Sequence, residues 1–137
     1  MRAPAPDALR IAGYAALFDV ADAVKDTIRR GAFARTLAAR GEPLPLLWQH
    51  RADRRIGTVE SATEDARGLR VVARIERPGS RAAALLRASE VSGLSFGYHA
   101  RGFRRTPAGR VLEEIELLEI SLVTHPMQPR ARVHLVA

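Results

Sequence analysis

The 137-residue sequence contains no cysteine. That excludes a disulfide-stapled scaffold, a thiolate nucleophile and a cysteine-ligated zinc site. No apolar run approaches the roughly 18–20 residues that a membrane span requires, so no membrane partner is expected. Aromatic residues make up only 5% of the chain, which leaves few platforms on which bases could stack. Lysine is nearly absent: of 22 basic residues, all but Lys25 are arginine. Residues 1–7 lack the basic-then-apolar build of a signal peptide, so a cytoplasmic protein is expected.

What remains is a chain that is 47% hydrophobic and 27% charged, too apolar to stay disordered. Its length suits one domain with one core, residues 1–137. The formal net charge of +7 is spread along the chain and accompanied by abundant alanine, the signature of a GC-rich genome. Nucleic-acid binders gather their charge on one helix or stripe. The scattered arginines therefore imply a general attraction to acidic surfaces and no specific nucleic-acid partner.

Periodicity gives a coarse element order. Residues 8–18 alternate and read as a strand. Residues 26–40 read as a short amphipathic helix that stops at Gly41. Residues 46–50 form a short apolar strand ending in polar groups, and 54–63 another. Residues 69–75 alternate strictly, giving a strand with one buried face. Ser80 is a plausible N-cap for a second helix through residue 89. Residues 92–103 and 111–124 are strands joined by a turn at Pro107-Ala108-Gly109, and 131–136 a last one. About seven strands with two inserted helices predict a mostly β fold: a largely antiparallel sheet, closed as a barrel.

Three places break local rules. The first is Gly93-Leu94-Ser95-Phe96-Gly97-Tyr98. On a strand, Leu94, Phe96 and Tyr98 face one way, and Ser95 faces the other between two glycines. That arrangement opens the Ser95 hydroxyl to a substrate backbone; close packing at the glycines is the competing explanation. The G-x-S-x-G spacing is not a nucleophile elbow, because the segment continues as strand where the elbow needs a helix. The second is Glu119, a carboxylate in the apolar run Leu117-Leu118-Glu119-Ile120-Ser121-Leu122-Val123. It must be paired there, either with one of the many arginines or with a histidine that it orients. Glu113, Glu114 and Glu116 lie nearer the turn and are expected in solvent.

The third is His50, beside Trp48 at the end of an apolar strand. A serine nucleophile needs a base, and imidazole is the usual one. His99 lies four residues from Ser95 on the same strand, ~13 Å away and out of reach of proton transfer. His134 is in the terminal strand. His50 and His125 both remain as candidates on position alone. No histidine spacing suits a metal site, and neither a metal nor another cofactor is expected.

The ordered set Gly31-Ala32-Phe33, Leu46-Leu47-Trp48-Gln49-His50, Ile56-Gly57, Gly68-Leu69, Gly93-Leu94-Ser95-Phe96-Gly97-Tyr98 and Leu118-Glu119-Ile120-Ser121-Leu122-Val123-Thr124 resembles the HK97-type prohead protease family. That family serves tailed bacteriophages and phage-derived particles such as gene transfer agents. The resemblance implies the fold of the herpesvirus assemblins, a seven-stranded barrel with helices around it. It implies a nucleophile at Ser95, a base at His50 and a third member at Glu119, with His125 as the alternative third member. No motif marks the oxyanion donors; the segment after Thr124 offers the backbone N–H groups of Met127 and Gln128 as candidates. Where the family commonly reads Thr-x-Pro-Ala-Asn-Pro, this chain reads Thr124-His125-Pro126-Met127-Gln128-Pro129. The implied function is a serine endopeptidase that cleaves the scaffolding segment of the major capsid protein, and itself, as a homo-oligomer (a dimer) inside the procapsid in the host cytoplasm. A catalytically inactive relative that binds capsid as a scaffold module is the rival reading.

Overall fold

The structure is a computed structural model and describes residues 9–137. Ten elements follow in chain order: β1 (Leu9–Leu17), β2 (Asp26–Ile28), α1 (Ala34–Ala39), β3 (Pro45–Trp48), β4 (Arg51–Glu64), β5 (Gly68–Ile75), α2 (Arg81–Arg87), β6 (Gly93–Thr106), β7 (Gly109–Val123) and β8 (Val133–Val136). No described helix is long and apolar enough to cross a membrane.

The strands form one sheet in the order β2-β7-β3-β4-β5-β1-β8, with β6 pairing β7 as a branch. Neighbours joined by short turns are antiparallel: β3 with β4, β4 with β5, and β6 with β7. Only β2 and β3 run parallel to β7. The antiparallel β-rich expectation holds, but the sheet is not a closed barrel. Between the β8 end and β6 there is a lone bridge, Gly93 to Arg132, flanked by Leu94 N–H to the Ala131 carbonyl (2.8 Å) and Val133 N–H to the Ser92 carbonyl (2.8 Å). The sheet curls far enough for its two ends to meet there without a continuous ladder.

The strict alternation at β5 buries Leu69, Val71, Ala73 and Ile75. Those side chains join Ile11, Leu46, Leu94, Leu112, Ile115, Leu117, Ile120 and Leu122 in one core. Ser80 caps α2 by accepting the Ala83 N–H at 3.3 Å, as its position before the helix predicts.

The expected helix over 26–40 is wrong in its first half. Asp26–Ile28 instead extends beside Arg110–Leu112. The buried Asp26 carboxylate accepts two bonds from the Arg110 guanidinium, at 2.9 and 2.7 Å. Gly31, at φ +89°, then turns the chain before α1, and only six residues are helical. A long-range ion pair has overridden a local amphipathic pattern. As expected, the turn-proximal glutamates Glu113, Glu114 and Glu116 sit at the surface, paired with Arg29, Arg35 and Arg101.

Candidate active site

Strand β6 is oriented by its apolar side. Leu94 is buried in the core, and Phe96 and Tyr98 pack against it. Phe33, fully buried, meets Phe96 edge-on with ring centres 5.4 Å apart, and Phe96 in turn contacts Tyr98 at 4.8 Å. Burying those rings commits the alternate residues to the opposite face. On β7 the same logic applies, with Ile120 and Leu122 in the core. In the β6–β7 ladder Ser95 lies opposite Ser121, and Gly97 opposite Glu119. Directly opposed residues project from the same side of a sheet. Ser95, Ser121 and Glu119 therefore share one face.

His50 reaches that face from a tight turn. Trp48 pairs with Arg51, so Gln49 and His50 form a two-residue hairpin loop with φ of 51° and 61°, the left-handed pair of a type I′ turn. Neither residue is glycine, and each left-handed residue costs roughly 1–2 kcal/mol. The turn is held by β7. The Gln49 N–H donates to the Leu122 carbonyl (2.9 Å). The Gln49 amide donates to the Thr124 hydroxyl (2.7 Å) and accepts the Thr124 N–H (3.2 Å). The His50 N–H donates to the Ser121 hydroxyl (3.1 Å).

So docked, the His50 ring meets Glu119. Its Nδ1 lies 3.1 Å from one carboxylate oxygen and 3.0 Å from the other. The Glu119 side chain is 12% exposed. An ionised carboxylate only accepts, so Nδ1 carries the proton of this bond and Nε2 is left as the basic nitrogen. No arginine takes this carboxylate among the described ion pairs.

Ser95 is 6% exposed. No described residue hydrogen-bonds its hydroxyl, yet every buried side-chain oxygen or nitrogen among the described residues has a partner. The Ser95 oxygen therefore touches solvent. It stands one cross-strand step, about 5 Å between α-carbons, from the serine that contacts both His50 and Glu119.

Of the two explanations for the glycines around Ser95, the structure favours close packing. A Cβ on Gly97 would lie 2.8 Å from Cγ of Glu119. A Cβ on Gly93 would lie 2.8 Å from Cδ of Pro126 and 2.5 Å from the Val123 carbonyl. Close packing is the correct explanation at both positions. At Gly97 the close neighbour is itself a candidate site residue.

The other histidines and the segment after β7 are placed as follows. His99 is exposed opposite Glu116. His134 stacks obliquely on Tyr14 at 6.1 Å. His125 is exposed beyond the end of β7. The Met127 carbonyl accepts the Ala23 N–H (2.9 Å). Gln128 is buried and spends its side chain on β1, accepting the Leu17 N–H (2.7 Å) and donating to the carbonyls of Leu17 (2.9 Å) and Val20 (3.2 Å). Ser121 was not singled out by sequence reasoning. Its signal was available: on a strand it must share the face of Glu119, two residues away.

A sequence model of the caudovirus prohead serine protease family matches residues 1–137. The prohead protease of Enterobacteria phage HK97 is 32% identical over 129 residues, covering 88% of this chain. The capsid polyprotein of Pseudomonas phage PAJU2 is 32% identical over 102 residues, 66% of this chain. The chain spans 57% of the length of the first and 15% of the second. Among solved structures, the bacteriophage T4 capsid assembly protease superposes with a TM-score of 0.68 at 17% identity, over 85% of this chain and 82% of that one. The Kaposi's sarcoma herpesvirus protease bound to a hexapeptide phosphonate inhibitor superposes at 0.64 and 16% identity, over 95% and 65%. At those identities the structural likeness concerns the fold.

Proposed function

Since the chain belongs to the caudovirus prohead serine protease family, we propose that it is a serine endopeptidase of capsid maturation in which Ser95, His50 and Glu119 act together. The observation that carries this reading is the contact of Glu119 with Nδ1 of His50, made on the sheet face where Ser95 presents a solvent-touching hydroxyl.

The reaction is acyl transfer. Nε2 of His50 takes the Ser95 proton as Oγ attacks a peptide carbonyl carbon. Glu119 holds the imidazole in the tautomer that leaves Nε2 basic, and stabilises the imidazolium that forms. The imidazolium returns the proton to the departing amine, leaving an ester on Ser95. Water, deprotonated by the same nitrogen, attacks the ester and regenerates the hydroxyl. Bonds between serine and histidine in substrate-free sites are often long and tighten when substrate enters, so the reading does not require a Ser95–His50 bond in the substrate-free protein.

The substrate in this proposal is the scaffolding segment of a major capsid protein. The relatives named a prohead protease and a capsid polyprotein support that choice. Self-processing and the pairing of two copies inside the procapsid belong to the same proposal.

The test is co-expression with the capsid protein. Ser95→Ala is expected to slow trimming by at least about a thousandfold; trimming at the wild-type rate would remove the serine from the mechanism. Glu119→Gln keeps the shape and loses the charge. It is expected to cost about a hundredfold or more, whereas His125→Ala is expected to cost little. The reverse result would give the third position to His125.

A further inference from the structure

A fourth side chain at this site has no role in the reaction just described. Ser121 is fully buried, flanked along β7 by the core residues Ile120 and Leu122 and set opposite Ser95 on β6 and Leu47 on β3. Its hydroxyl uses both of its capacities. It accepts the N–H of His50 at 3.1 Å, and it donates to the Glu119 carboxylate, whose oxygens are both 3.2 Å away. One hydroxyl carries one proton and two lone pairs, so the two bonds are compatible and fix each other's direction. The same atom thus holds the backbone of the turn that carries the imidazole and the carboxylate that the imidazole meets.

The opposite side of the carboxylate is bounded by Gly97. A methyl group there would come within 2.8 Å of Cγ and 2.9 Å of Cδ of Glu119. Backbone strain does not explain this glycine, because its φ is not positive. The space over Gly97 is where Glu119 lies.

We propose that Ser121 is a positioning residue which, with the gap over Gly97, clamps Glu119 and the His50 turn into mutual register. The proposal rests on the reading of His50 and Glu119 as base and orienting acid. Ser121 touches neither the substrate nor Ser95's proton; it acts through the imidazole. Without the hydroxyl, the carboxylate loses the donor that aims it, and the histidine N–H must turn to water. The ring then spends less of its time with Nδ1 on Glu119.

The test uses the full chain, a fluorogenic peptide from the capsid cleavage site, a peptidyl phosphonate that labels reactive serines, and nitrogen-15 NMR of the His50 ring. Ser121→Ala is expected to lower kcat and the labelling rate at Ser95 by tenfold or more with KM unchanged, to weaken the Nδ1-bound proton signal of His50, and to leave the melting temperature within a few degrees. Ser121→Thr, which keeps the hydroxyl, is expected to restore part of the rate and the signal. Wild-type kcat together with an unchanged His50 signal in Ser121→Ala would overturn the clamp. The outcomes separate the two claims. If Ser95 in the wild-type protein is not labelled, the proteolytic reading fails, and the NMR signal of Ser121→Ala still decides whether Ser121 positions the ring.

Discussion

At the scale of single residues, small side chains here make room for charged ones. Gly97 is the clearest case. Gly97→Ala is expected to leave the fold intact, because the group it displaces is the end of a side chain on a half-open face. It should push Glu119 off the imidazole and cut the catalytic rate about tenfold or more, with little change in melting temperature. A loss of rate matched by an equal loss of stability would mean that the methyl disrupts the β6–β7 ladder instead. Much of the candidate site was legible at this scale. Ser95, Glu119 and His50 stand out in sequence because each is a polar group in apolar surroundings. Ser121 escaped because a serine between Ile120 and Leu122 breaks no compositional rule; its importance lies in what the β3–β4 turn brings against it. The glycines were legible as exceptions, but whether a missing side chain admits a substrate or a neighbouring residue depends on a strand 22 residues further on, Gly97 facing Glu119.

At the scale of elements, β2 shows what pattern alone misses. Three residues pair with β7 because Arg110 grips Asp26, and nothing local announces that bond. Arg110 holds the Asp26 carboxyl below the usual carboxylate range, with burial opposing it. A carboxyl depressed in the folded state stabilises the fold above its unfolded pKa of about 3.9. That contribution drains away as pH falls through the lower folded value. Wild-type stability should therefore decline below about pH 4, and Asp26→Asn should flatten that decline while lowering stability at neutral pH. Removing the partner instead, Arg110→Ala, should cost about 2–3 kcal/mol by denaturant titration. That is below the roughly 3–5 kcal/mol of a fully buried pair, because the Arg110 side chain is 31% exposed. The other elements followed from sequence where their signals were strong: strict alternation at β5, the serine cap of α2, and the turn between β6 and β7. Where a six-residue helix and a three-residue strand share one stretch, amphipathic spacing cannot divide them.

At the scale of the whole molecule, curvature decides which residues meet. Counting strands predicts a β-rich body. It does not reveal that β7 is touched by β2, β3 and β6, or that the two ends of the sheet meet through isolated bridges, Gly93 to Arg132 and Phe18 to Ile28, instead of a ladder. The loop between β7 and β8 does the joining, and Gln128 anchors it to the end of β1. Gln128→Ala would leave buried backbone groups of Leu17 without partners, at about 1–3 kcal/mol each. The variant is expected to melt several degrees lower. An unchanged melting curve would show that the curl is secured elsewhere.

The parallel pairing of β3 with β7 has a consequence in time. It unites Leu46–Trp48 with Ile120–Leu122, a union across more than half of the polypeptide, and contacts of such range form late. A chain still emerging from the ribosome carries Ser95 and His50 before Glu119, the acid proposed to orient the imidazole, has been made. In the proposed mechanism, competence to cut would thus wait for this distant pairing to form.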